Sequence, residues 1–247
     1  MKIRKLLKKG FKNFGYDLVR LKGGLGYGTL ENELLKFINE LKVDLILDIG
    51  ANKGQFGAMI YDYGYSNSIL SFEPLSSMYT LLNNRANAIK QWHIYEQCCI
   101  GDKETTTTIN VSNMIGNSSV MPIKSTKYNV QQSHYVASEE VRQITLETLN
   151  QNPLIKASKN IFIKMDVQGF EHIILNKLKD IDYNVTGLYI ELSLVKLYEG
   201  QEDYLYICNQ LKSLGYDLVY IVPESIRNGR MIQFNGVFLH HSLSYEL

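Results

Sequence analysis

Apolar positions fall into two rhythms along this chain, and their alternation sets the expected architecture. Short, nearly unbroken apolar runs occur at Val43–Asp48, Ile69–Phe72, Trp92–Ile100, Ile161–Met165, Leu188–Leu192, Tyr216–Val222 and Phe234–Leu239. Runs of this length, bounded by Gly, Pro, Asn or Asp, read as buried strands. Between them lie stretches with helical spacing. In Glu31–Leu41, Leu34, Leu35, Ile38 and Leu41 share one face, and Leu75–Lys90 does the same with Met78, Leu81, Leu82 and Ile89. Gln55–Tyr63, Glu171–Leu178 and Glu202–Leu214 complete the helical set. Strands alternating with helices predict an α/β fold with a mainly parallel sheet, here seven-stranded, covered on both faces. The last two strands are joined by a short connection containing Pro, Asn and Gly. Parallel neighbours need a crossover of about a dozen residues or more, so the last strand is predicted to be antiparallel.

Two stretches break the rhythm. Residues 103–160 are rich in Thr, Ser and Asn, with strand candidates only at Thr105–Val111 and Val141–Leu146. The remainder of that stretch reads as a loop or lid inserted between two core strands. Residues 1–22 place Ile3, Leu6, Leu7, Phe11 and Phe14 on one helical face and lysines on the other, and GGLGYG at 23–28 follows as a break. The expected organisation is a basic amphipathic helix and linker over 1–28, then one domain over 29–247 carrying the insertion.

Composition narrows the classes. The 247 residues carry a net charge of +1, which argues against a dedicated nucleic-acid binder. Cys98, Cys99 and Cys208 form no CxxC and read as reduced thiols rather than a disulfide or zinc site. No apolar run reaches the length of a membrane span, and no secretory signal is evident. The expectation is a cytoplasmic protein. Its N-terminal helix either lies on an anionic membrane surface, making peripheral contact through residues 1–22, or caps the domain or a second subunit of an oligomer.

The chemistry gathers at strand ends, where open α/β sheets bind ligands. Asp48, Glu73, Asp102, Asp166 and Glu191 each lie at or near one. The loop Asp48-Ile-Gly-Ala-Asn-Lys-Gly54 has spaced glycines but is neither GxGxxG nor a P-loop. Glu73, 25 residues further on, is placed to accept hydrogen bonds from a ribose. That arrangement serves NAD and S-adenosylmethionine alike. Asp48 separates them: a carboxylate repels a pyrophosphate but suits a cationic, phosphate-free nucleoside.

Residues 45–57 (LILDIGANKGQFG), 71–74 (SFEP), 163–171 (IKMDVQGFE) and 189–192 (YIEL), with the Phe234–Leu239 strand, resemble the FkbM family of methyltransferases over about 43–240. The resemblance implies a Rossmann-like class I methyltransferase fold and S-adenosylmethionine as cofactor. It implies Asp48, Gly50, Asn52, Gly54 and Glu73 as cofactor contacts, with Pro74, Gly101 and Asp102 continuing that site toward the adenine. Many relatives carry Glu where this chain has Gln168.

Asp166 is the candidate general base for an acceptor hydroxyl, with Glu171 as a second catalytic carboxylate; capping of the following helix is the plainer reading of both. Asn117, Ser118 and Gln168 are candidate acceptor contacts. A divalent metal, held by Asp166 and Glu191 with help from Glu171 and His172, is an open alternative, with His172 otherwise a surface helix residue. The expected function is O-methylation of a glycan or small-molecule hydroxyl acceptor, a sugar of a bacterial surface glycan by analogy with relatives. A natural-product methyltransferase, an NAD-dependent oxidoreductase and a non-catalytic binding module are the alternatives.

Overall fold

The computed structural model describes residues 30–125 and 133–242. The basic helix expected over 1–22 lies outside the described residues. The chain runs α1 (Leu30–Glu40), β1 (Leu45–Ile49), α2 (Gln55–Asp62), β2 (Ser68–Phe72), α3 (Ser76–Ala86) and β3 (Trp92–Ile94). It continues through β4 (Cys99–Gly101), β5 (Thr105–Ser112), β6 (Tyr135–Thr145), α4 (Pro153–Ala157), β7 (Ile161–Met165), α5 (Glu171–Leu175) and β8 (Val185–Ser193). It closes with α6 (Tyr204–Ser213), β9 (Tyr216–Arg227) and β10 (Arg230–His240).

The main sheet has seven strands in the order β3-β2-β1-β7-β8-β10-β9, with only β10 antiparallel to its neighbours. Strand periodicity divides the core into two layers. Leu45, Leu47, Ile49, Ile163 and Met165 pack into one, while Ile46, Ile69 and Phe162 pack into the other with Leu34 and Ile38 of α1. The strand order reverses between β1 and β7, and their registered ends, Ile49 opposite Met165, place Gly50 beside Asp166. A Cβ on Gly50 would lie 1.9 Å from the Asp166 carbonyl oxygen, and φ there is +73°. Only glycine lets the two loops converge at this point.

Three expectations need correction. Trp92–Ile100 is not one strand: β3 ends at Ile94, and β4 belongs to a separate three-stranded sheet, β4-β6-β5. The chain leaves the main sheet at Glu96-Gln97, where the Gln97 amide donates to Pro74 O and to Glu139. The insertion is not mainly loop. β5 and β6 pair antiparallel, and Ile109 and Val141 pack on Leu75 and Cys99, so this small sheet roofs the end of the main one. The stretch after Val222 is not a connection but continued strand, turned by Asn228-Gly229 with both φ positive, the signature of a two-residue hairpin.

Two elements went unforeseen. A 3-10 turn at Glu147–Gln151 leads to α4, whose N-cap Asn152 accepts from Leu154 and Ile155 amides with Pro153 in the first turn. His172, expected at the surface, is buried against the ring of Tyr206.

Candidate active site

A cavity of about 530 Å³ opens at the carboxyl ends of β1, β2 and β7. Its polar end is built by the loop after β1 and by Glu73. The Asn52 amide donates to Glu73 Oε2 at 2.7 Å, and the Leu75 amide to Oε1 at 3.0 Å. Each carboxylate oxygen keeps lone-pair capacity for a further donor. Glu73 is 5% exposed, and burial pushes its carboxyl up to about 7 despite those two amides. The apolar end of the cavity is formed by Leu75, Met78, Ile100, Ile109, Ile115 and Val120, the last four from the small sheet and its loop. A carboxylate with two backbone donors facing one way and an apolar slot beside it suits a ribose followed by an adenine.

Asp48 lies differently from expectation. Its side chain is fully buried, forms an ion pair with Lys164 at 3.2 Å and accepts from Ser71 Oγ at 3.2 Å. It does not line the cavity, whereas Lys164 does. Lys164 also donates to Gly50 O at 2.7 Å and sits 5.9 Å over the Phe56 ring. Asp48, Asp166 and Glu73 together outweigh the desolvation of this ammonium and hold its pKa above the usual lysine range. The Asp48 charge is therefore spent inside the protein, and the carboxylates that line the cavity are Glu73, Asp166, Glu191 and Glu224.

Gln168 links the carboxylates at the other end of the cavity. It has φ +54°, and its carboxamide donates to Asp166 Oδ1 at 2.7 Å and Glu191 Oε2 at 3.0 Å. Its oxygen accepts from Tyr198 Oη at 2.7 Å. Gln233 donates a further hydrogen bond to Glu191 at 2.7 Å. Desolvation, then Asp166 and Glu171, raises the Glu191 carboxyl well above its ordinary value. Glu171 does not line the cavity. Its Oε1 accepts from the Val167 and Gly169 amides, so it braces the loop that holds Gln168, and burial pushes it up to about 7.

On the far side of Gln168 lies a second cavity of about 220 Å³. It shares Asn117, Gln168, Glu191 and Glu224 with the first. Asn117 reaches both, with Nδ2 donating to Ser133 Oγ at 3.1 Å. Ser118 lines the first cavity, but its Oγ accepts from the Ser112 amide and so closes its own loop.

The remaining candidates are placed as follows. Pro74, Gly50 and Asn52 line the first cavity. Gly54 does not: a Cβ there would lie 2.9–3.0 Å from Leu82 and Trp92, so its bareness serves packing. Gly101 packs against the Gln143 side chain and Asp102 is exposed; the cavity wall is made by Cys98, Cys99 and Ile100 just before them. Among the described residues no three His, Cys, Asp or Glu side chains converge as a metal site. The gap between Asp166 and Glu191 is bridged by the Gln168 amide nitrogen. Lys164, Tyr198 and Glu224 were not anticipated. Lys164 carried a signal: a charged residue inside the fully buried run Ile161–Met165 demands a partner, and Asp48 is its neighbour in register.

The model of the FkbM methyltransferase domain matches residues 48–218. No curated protein sequence matches the chain significantly. Solved structures similar to it include magnesium protoporphyrin IX methyltransferase from Synechocystis PCC 6803 with bound S-adenosylmethionine, 12% identical over 96% of this chain and 95% of that one, TM-score 0.47. An rRNA methylase from Streptococcus thermophilus is 9% identical over 87% and 98% of the two chains, TM-score 0.44. Precorrin-6y C5,15-methyltransferase from Geobacter metallireducens is 8% identical over 91% and 100%, TM-score 0.43. With the matched domain covering more than half of its length, the chain belongs to the FkbM methyltransferase family and is an S-adenosylmethionine-dependent methyltransferase.

Proposed function

We propose that this enzyme methylates a hydroxyl of a polyhydroxylated acceptor, of the sugar class, with Asp166 as general base. The carrying observation is the position of Asp166 on the wall of the first cavity, hydrogen-bonded to Gln168, which lines the second cavity as well. The first cavity suits the cofactor, with Glu73 receiving the ribose hydroxyls and the apolar slot receiving the adenine. Bound there, S-adenosylmethionine supplies an electrophilic methyl: an O–CH3 bond forms as the S–CH3 bond breaks, leaving neutral S-adenosylhomocysteine. The second cavity carries hydroxyl and carboxamide groups from Ser133, Asn117 and Gln233, the partners a polyol needs.

Asp166 Oδ1 receives the Gln168 amide in the free enzyme. An acceptor hydroxyl donating to the same carboxylate is oriented toward the cofactor cavity and loses its proton to Asp166 as the bond forms. Gln168 and Tyr198 hold the carboxylate in place for that transfer. The small sheet β4-β6-β5 and its loops cover the site and exclude water from it.

Calorimetric titration with S-adenosylhomocysteine, followed by assay of tritiated methyl transfer to a panel of sugars and of sugar-free alcohols, tests this reading. Tight binding that Glu73→Ala weakens, with transfer to sugars preferred, supports it. Transfer to the sugar-free alcohols in preference to every sugar would sink it.

A further inference from the structure

The mouth of the second cavity carries charge that methyl transfer does not use. Arg227 lines this cavity, and Arg230 stands directly opposite it in the β9–β10 ladder, the two flanking the Asn228-Gly229 turn. Directly opposed residues of an antiparallel pair project from the same face with Cβ atoms roughly 4.5–5.5 Å apart, and like charges so placed repel. Among the described residues neither guanidinium has an ion pair or a side-chain hydrogen bond. Arg227 borders the opening and Arg230 projects beside it from the same face, so one anion at the mouth can meet both unpaired guanidiniums.

The rest of the cavity is graded in the opposite sense. Its inner end holds Glu191 beside Asp166, with Glu224 bound by Asn235 at 2.8 Å. Burial raises both glutamates above their ordinary range, which lowers the negative charge they present. Between the two ends lie the neutral donors and acceptors of Ser133, Asn117 and Gln233. A guanidinium presents a planar fork that pairs bidentately with phosphate or carboxylate oxygens. The Asn-Gly turn holds the two arginine backbones in register, so both side chains start from neighbouring positions on one face.

We propose that the acceptor carries an anionic group, a phosphate or a carboxylate, which Arg227 and Arg230 clamp at the mouth while a hydroxyl at the other end of the molecule reaches Asp166. The proposal deepens the reading above, since it takes the second cavity as the acceptor's seat. It makes the hairpin tip a specificity element: neutral sugars lose the clamp, and the anion fixes which hydroxyl faces the base.

The test uses glucose 1-phosphate, glucuronate and methyl glucoside as calorimetric probes at low salt. They are titrated into the full chain and into Arg227→Gln/Arg230→Gln, each with and without S-adenosylhomocysteine. The expected result is that at least one anionic probe binds about tenfold or more tightly than methyl glucoside, and that the double variant abolishes the difference. Preference for glucose 1-phosphate points to a phosphorylated acceptor, and preference for glucuronate to an acidic sugar. No anionic preference in the native chain, or a preference that survives in the variant, overturns the proposal. Unchanged S-adenosylhomocysteine affinity in the variant shows that its fold is intact. Failure of the native chain to bind S-adenosylhomocysteine sinks the methyl-transfer reading instead, and the cofactor-free titrations still score the clamp.

Discussion

Asp48 and Lys164 sit one strand apart in register and form an ion pair at 3.2 Å, with side chains 0% and 8% exposed. This pair ties the end of β1 to β7 directly beneath the glycine loop, because the same ammonium donates to Gly50 O. Breaking a buried pair from one side leaves an uncompensated charge and costs about 3–5 kcal/mol. Asp48→Asn is expected to lose that much stability in urea unfolding. The double change Asp48→Leu/Lys164→Met should lose clearly less than the sum of the two single changes, because it removes both charges together. A small stability loss with collapse of S-adenosylhomocysteine affinity would instead mean that Asp48 serves the ligand.

The base assignment makes a separate prediction. Asp166→Asn keeps the shape and the Gln168 contact but cannot take a proton. It should lower kcat by roughly 10²–10⁴ while S-adenosylhomocysteine affinity stays near the native value. Gln168→Glu replaces the amide that bridges Asp166 and Glu191 with a third carboxylate. Like charges raise one another's pKa, so the acidic limb of the kcat–pH profile should move upward. An unmoved profile would show that the titrating group is not Asp166.

Packing around the single tryptophan gives a test of the opposite layer. Gly57 lies inside α2, and a Cβ there would sit 2.3 Å from Trp92 Cζ2. Alanine would gain about 1 kcal/mol in helix propensity. Overpacking costs about 1–3 kcal/mol, and the rigid indole, whose Nε1 donates to Ser71 Oγ at 2.9 Å, has little room to yield. Gly57→Ala should therefore destabilise the fold and shift Trp92 fluorescence, read by denaturant titration with emission spectra.

Legibility in the sequence followed burial and strand position. β1 and β7 were visible because central parallel strands are buried on both faces and read as unbroken apolar runs. β9 was only half visible. As an edge strand it alternates exposed and covered positions, and Pro223, which reads as a break, is tolerated there because an edge has an unpaired side. The split of Trp92–Ile100 depends on Gln97 meeting Pro74 and Glu139, contacts no local pattern encodes. Glu73 and Asp166 were legible as cavity-lining residues because strand ends at a switch point are where ligands sit, and Gly50, Asn52 and Gln168 through the motifs of the family resemblance. Tyr198, Glu224 and Arg227 were not, since they reach the second cavity from a loop and from the far end of an edge strand, with no motif to mark them. Asp48 shows the limit of reading charge alone: its partner was in the sequence as Lys164, and only the register revealed that the two cancel.

The raised carboxyls set a pH dependence with a definite sign. Glu73 and Glu171 are pushed by burial to about 7, above the ordinary 4.5 that they take on unfolding. Between those values the folded chain holds protons that the unfolded chain has lost, so stability without ligand should fall as pH rises from about 4.5 to about 7, by a few kcal/mol in total. Glu171→Gln should flatten part of that slope in urea unfolding at several pH values. Cofactor binding acts the other way on Glu73. On the proposed seating of the cofactor, ribose hydroxyls would donate to its ionised form and lower its pKa, so binding near pH 7 should expel a fraction of a proton, and affinity should rise from pH 6 toward pH 8. Titrating S-adenosylhomocysteine in phosphate and in Tris, whose ionisation enthalpies differ, measures that proton directly. Glu73→Gln should abolish the buffer dependence along with much of the affinity, whereas proton uptake in the native chain would place the ribose away from Glu73.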